Sequence, residues 1–258
     1  MTIDHEGRIH ALLARAEHPE TPEAEAQACA AKAAELMMRH AIDEAVLRSG
    51  RGERPEPVVY WEHLVPGGDG HARARSAGLT AVVRAYGGAC ARRGHGTYRQ
   101  DVDLLLVATK SARDALTLLL PSLALQMDGA GTRATDAYMD GVAADLFRRK
   151  ADRTRWRNGY LKAFLVGYGD RVGERVEAAR GRLRDDGPAE AGALVLARDD
   201  ERVRAEFAAR FPALVRGRAQ RVRSDGYTAG LDAGRFADLG SGGVAGSRPA
   251  LGGPGTGR

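Results

Sequence analysis

Aromatic residues are scarce in this chain, 5% of 258 positions, so any core must be filled mostly by alanine, leucine and valine. Cysteine is nearly absent. Cys29 and Cys90 stand far apart, without a CxxC pair or a Cys/His ligand spacing. That excludes a disulfide-rich scaffold and leaves either two buried thiols in a reducing compartment or one bridge between them. Histidine does not occur beyond His95. His5 and His10 would point to different faces of a helix, whereas a zinc pair on one helix wants a spacing of four. His63, His71 and His95 could meet only through folding, so no metal site is expected. The longest apolar stretch, residues 115–127, is interrupted by Thr117, Pro121, Ser122 and Gln126 and is too short to span a bilayer. Asp4, His5 and Glu6 stand where a secretory leader would need apolar residues. The expectation is a cytoplasmic protein with no membrane association. GxSxG, P-loop and HExxH motifs are all missing, so no cofactor and no catalytic residue is assigned.

What is present is charge, unevenly placed. The formal net charge is +5, yet residues 1–50 carry net −4 and the remainder net +9. Such asymmetry is compatible with an anionic partner for the later part. Nearly all the cations are arginine, alongside abundant alanine and glycine, a bias that GC-rich coding also produces.

The stretch 153–184 carries the strongest periodicity. Leu161, Leu165, Tyr168, Val172, Val176, Ala179 and Leu183 recur in steps of three and four, which predicts a helix with one buried stripe. Gly167, Gly169, Gly173 and Gly181 interrupt it, each at about 1 kcal/mol against alanine. Close approach of another backbone would offset that cost, and the segment 111–126 is the expected crossing partner for Gly167 and Gly173.

Before it, residues 6–50 read as a helical unit. Ile9, Leu12, Leu13 and Ala16 form one apolar face; Pro19 stops that helix; Thr21 and Pro22 open an alanine-rich second one; Asp43 caps a third. A linker at 49–57 comes next. Residues 57–64 read as a strand, 71–86 as a helix ended by Gly87 and Gly88, and 89–109 as a hairpin turning at 94–96, with 102–108 a buried run. Ser111 is the expected cap of the next helix, which Pro121 should kink or end. The small, polar segment 128–135 suggests a break before helix resumes over 137–150. Later, 193–197 reads as a short strand, 199–211 as a helix, 212–224 as a loop and 225–239 as a last helix. The Gly-rich tail 240–258 has no periodicity and is expected to be disordered. Together these elements predict an α+β fold: a small N-terminal helical module at 1–50, then a domain at 57–239 with helices packed on a small, mostly antiparallel sheet.

The first of these units resembles the DUF2786 domain, an uncharacterised helical module. The residues that carry the resemblance are His18-Pro19 with Glu23-Ala24 at a turn, Glu35-Leu36-Met37 at a helix end, and Ile42-Asp43-Glu44-Ala45 in the last element. The later part is similar to the region after this domain in actinobacterial proteins of the same family. Its shared features are Ser122-Leu123 with Gln126, Trp156-Arg157 with Phe164-Leu165 and Gly167-Tyr168, and a closing pattern of Gly230, Ala233-Gly234-Arg235 and Ala237-Asp238-Leu239-Gly240. The resemblance implies no activity.

Three clusters compete as sites. Arg148, Arg149, Lys150, Arg153, Arg155 and Arg157 surround Trp156, with Tyr160 nearby. Guanidinium forks suit phosphate oxygens and an aromatic ring can stack an unpaired base. This points to a non-enzymatic, nucleic-acid-associated protein; the alternative origin is a solvated helix junction with Trp156 packed inward. Arg216, Arg218, Arg221 and Arg223 form a second cluster without an aromatic. Asp101 and Asp103 would share one face of a strand, as a metal-dependent hydrolase or nuclease would require, or simply mark a solvated strand entry. A further reading makes residues 6–48 a docking module for a protein partner. Gly226, Gly230 and Gly234 recur every four residues, a stripe that suits either phosphate or close helix packing.

Overall fold

The computed structural model describes residues 54–94, 100–142, 149–185, 189–215 and 223–237, with isolated positions up to residue 52. Apart from those positions the N-terminal module lies outside the described residues, as do the turn at 95–99 and the tail from 238. The fold is α+β. Three strands, β1 (Val58–Val65), β2 (Ala89–Gly94) and β3 (Val102–Thr109), form an antiparallel sheet in the order β1-β3-β2. Val58 pairs with Thr109 and Val65 with Val102 across β1 and β3, while Ala89 pairs with Val107 across β2 and β3. The run 102–108 occupies the centre of the sheet, buried on both faces apart from Asp103. A central strand covered on both sides has to be continuously apolar rather than alternating.

Five helices complete the described part: α1 (Ala72–Ala85), α2 (Lys110–Asp140), α3 (Lys150–Asp185), α4 (Ala189–Arg210) and α5 (Ser224–Gly234). Val102, Leu104 and Leu106 share one core with Leu79 and Val82 of α1, Leu116, Leu120, Leu123 and Met127 of α2, and Phe164, Leu165, Tyr168, Val172 and Val176 of α3. The expected stripe of the long helix is therefore its buried side. On the other face of the sheet, Tyr60 meets the end of α4, lying under the Arg210 guanidinium and 6.1 Å from the ring of Phe211, the next residue. Among the described residues no helix is long and apolar enough to cross a membrane.

The expected partner of the glycines in α3 is corrected by the packing. A Cβ on Gly167 would collide with the Tyr227 carbonyl and meet the Leu231 amide of α5 at 3.1 Å. One on Gly173 would meet the Ala81 carbonyl of α1 at 3.0 Å. The segment 111–126 is thus not the crossing element; α1 and α5 are. Gly169 and Gly78 face each other so closely that neither could carry a Cβ, and Gly78 would also strike the Leu165 carbonyl at 2.6 Å. From α5, Gly226, Gly230 and Gly234 lie against the carbonyls of Tyr160, Phe164 and Tyr168. The four-residue glycine stripe is a helix-packing seam.

Several boundaries differ from the sequence reading. Thr109, not Ser111, caps α2 by accepting from the Ala112 amide, and Ser111 instead donates its hydroxyl to Glu56 at 2.6 Å. Pro121 does not end α2, which continues through it to Asp140; the Thr117 carbonyl it leaves without a donor lies on the exposed side, where water can serve it. No break occurs at 128–135: Gly131 packs under Leu161 and Phe164, and the Thr135 hydroxyl bonds back to the Gly131 carbonyl at 2.6 Å. Burial here outweighs the weak propensity of small residues. The helix then stops at Asp140 with Gly141 as its cap instead of running from 137 to 150. Residues 193–197, expected as a strand, lie inside α4, with Leu196 buried and Leu194 half exposed as on one side of a helix. The last helix ends at Gly234 rather than 239.

The glycine seam sets a sharp contrast. Gly169→Ala should cost about 1–3 kcal/mol or more, since neither facing backbone can yield. Gly181→Ala meets nothing within 4 Å and should gain about 1 kcal/mol from helix propensity. Urea denaturation of the two variants checks both signs.

Candidate nucleic-acid interface

The first turns of α3 carry most of the described arginine cluster; Arg148 and the arginines at 216, 218 and 221 lie outside the described residues. Arg149, Lys150, Arg153 and Arg155 are exposed and have no ion pair with any described residue. Arg157 behaves differently: its guanidinium pairs with Asp136 of α2 at 2.6 Å. Asp152 is the one acidic residue in the first turn of α3.

Trp156 is held rather than free. Its indole N–H donates to the Tyr138 hydroxyl at 3.2 Å, and the Arg223 guanidinium carbon lies 3.7 Å from its ring centre. Arg223 pairs with Asp225 at 2.8 Å, and that carboxylate also accepts from Tyr138 at 2.7 Å. The Arg223 guanidinium, with the Tyr138 hydroxyl and the Gly226 amide, holds the Asp225 carboxyl well below its usual range. Tyr138 stacks on Tyr160 at 4.2 Å, and Tyr160 is buried. Residues from α2, α3 and the start of α5 thus form one node beside the cationic cluster. Arg223 belongs by sequence to a separate cluster; nothing in its spacing signals that it would cover Trp156.

Asp101 and Asp103 have separate partners. Asp101 accepts the Gly67 amide at 2.8 Å, just ahead of β3. Asp103 pairs at 3.0 Å with Arg93, which also reaches Glu62, itself bonded by the Tyr60 hydroxyl. This is a cross-strand charge ladder on the sheet's outer face. Among the described residues no three His, Cys, Asp or Glu side chains come together as a metal site would need. Cys90 is a free thiol whose pKa burial pushes up.

A cluster that sequence reasoning missed lies where β1 turns into α1. Arg75, buried, donates to both Asp128 oxygens at 2.9 Å, to Asp69 at 2.6 Å and to the Pro66 carbonyl at 2.8 Å. Burial raises the Asp128 carboxyl despite Arg75. Burial also acts to raise that of Asp69, but the His71 amide and Arg75 together bring it below its usual range. His71 stands at the N-cap position of α1 without a side-chain capping bond, its Nδ1 buried and unpartnered. The one signal in the sequence was the glycine-rich turn at 67–70 between a strand and a helix. Its chemistry is that of a fastening: a buried guanidinium tying the β1–α1 loop to α2.

With this geometry in place, comparison with known proteins adds one assignment. Residues 7–44 match the family described as a protein of unknown function, DUF2786. The chain carries a DUF2786 domain. No curated protein and no solved structure matches it. The DUF2786 match ends before the α+β part begins, so neither the cationic cluster nor the Arg75 fastening falls within it.

Burial holds both His63 and His71 below their ordinary pKa. The folded protein therefore resists protons that the unfolded chain takes up near pH 6.5, so stability present above that pH falls as pH drops below it. Asp128 and Asp170, raised by burial, act in the opposite sense at lower pH, so the useful window lies around and just below the unfolded histidine value of about 6.5. The urea midpoint should fall across that window, and the fall should flatten in a His63→Gln/His71→Gln double variant.

Proposed function

We propose that the protein binds nucleic acid, without chemistry of its own, through the cations at the start of α3. The observation that supports this reading is the exposure of Arg149, just before α3, and of Lys150, Arg153 and Arg155 in its first turns, without ion pairing to described residues, on a helix whose later turns are core. Surface cations are ordinarily cheap to pair, and the same chain pairs Arg93, Arg157, Arg171, Arg180, Arg202 and Arg210. Four left together on a rigid support present charge with little ordering cost, which suits phosphate oxygens. The adaptor reading rests on residues 6–48, outside the described part. The hydrolase reading gains nothing from Asp101 and Asp103, each bonded elsewhere.

Fluorescence anisotropy with a labelled hairpin oligonucleotide, offering both a stem and a loop, tests the proposal. Binding should reach the micromolar range at about 50 mM salt and weaken steeply by 200 mM. A Lys150→Ala/Arg153→Ala/Arg155→Ala variant should lose at least tenfold in affinity and show a shallower salt slope, by roughly 0.9 for each stem phosphate that is no longer neutralised. Absence of binding at low salt, or equal affinity of the variant, would remove this surface from consideration.

A further inference from the structure

The cations do not share one side of α3, and the aromatics beside them are already engaged. Residues 150, 151 and 153–156 are all exposed; Trp156 marks the side held by Tyr138 and Arg223, and the side around Thr154, about 160° away, is the open one, flanked by Arg153 and Arg155. At about 100° per residue, Lys150 and Arg153 lie about 60° apart around the axis, whereas Arg155 lies about 160° from Arg153. A partner lying along one side of the helix would engage Arg153 or Arg155, but not both.

Single-stranded nucleic acid is held by rings on which bases stack. Neither ring here is offered: Tyr160 is buried against Tyr138, and Trp156 has one face covered by Arg223 and its N–H bound to Tyr138. What remains is a charged cylinder with cations on opposed sides. We propose that its partner is double-stranded DNA, entered at the major groove, with Arg153 and Arg155 contacting phosphates of the two opposed strands. A helix is about 10–12 Å across with side chains and the B-form major groove about 12 Å wide, so the dimensions agree. The A-form groove of duplex RNA is deep and too narrow for such an element. The inference rests on the reading of this surface as a nucleic-acid interface and specifies which nucleic acid.

Three probes of equal length and mixed sequence separate the possibilities: blunt duplex DNA, the corresponding single strand, and duplex RNA, each titrated at low salt. Duplex DNA should bind at least tenfold tighter than the other two. Arg153→Ala and Arg155→Ala are changes at exposed positions, with folding checked by circular dichroism. Each should weaken duplex DNA binding at least fivefold. Equal or tighter binding of the single strand or of duplex RNA would overturn the groove assignment while leaving nucleic-acid binding intact. So would weakening by only one of the two substitutions. Binding of none of the probes would overturn the underlying reading as well.

Discussion

Backbone-to-backbone contact between helices holds this domain together. Where Gly169 of α3 meets Gly78 of α1, and where Gly226, Gly230 and Gly234 of α5 lie on the carbonyls of Tyr160, Phe164 and Tyr168, no side chain separates the two chains. With so few aromatics, the core cannot fill a wide gap between helices. It closes the gap instead, and dispersion between tightly apposed backbones takes the place of large side chains. Glycine's poor helix propensity is the cost, and it is borne by a helix of 36 residues whose remaining turns bury Leu165, Val172 and Val176.

Polar fastenings then set the orientation of the elements that the seam brings together. Arg75 joins the β1–α1 loop to α2, Arg180 joins α3 to Asp200 of α4 at 2.7 Å, and Arg175 reaches the carbonyls of Gly234 and Ala237 at the end of α5. Each buried or half-buried guanidinium spans elements distant in sequence and meets more than one acceptor, as a planar five-donor group can. The cluster of Trp156, Tyr138, Arg223 and Asp225 does the same at the other end of the long helix. There it also decides which cations remain available, since Arg157 and Arg223 are consumed by it or beside it.

Much of the fold was legible where one periodicity dominated. The long helix, the continuous apolar run of β3, its pairing with β2, and the helix after β1 all follow from spacing alone. The failures have local causes. Residues 128–135 look like a break because Gly131 and Thr135 are poor helix formers in isolation; their burial against Leu161 and Phe164 is a tertiary fact. The run at 193–197 is too short for its period to distinguish strand from helix. Glycines announce close packing but not the partner, since α1, α2 and α5 all offer small residues. The candidate interface was legible as a cluster of charge. Its division into paired and unpaired members was not, because Asp136 and Arg223 approach it only in space.

Glu56 has a mechanical meaning. Its carboxylate receives the amide and hydroxyl of Ser111 at the start of α2, while Arg202 of α4 donates to its carbonyl. The chain is therefore pinned to two helices within two residues of where β1 begins. Tension arriving along the chain from the DUF2786 side would load these bonds before it reached the strand register, so α2 and α4 are the elements that would feel it first.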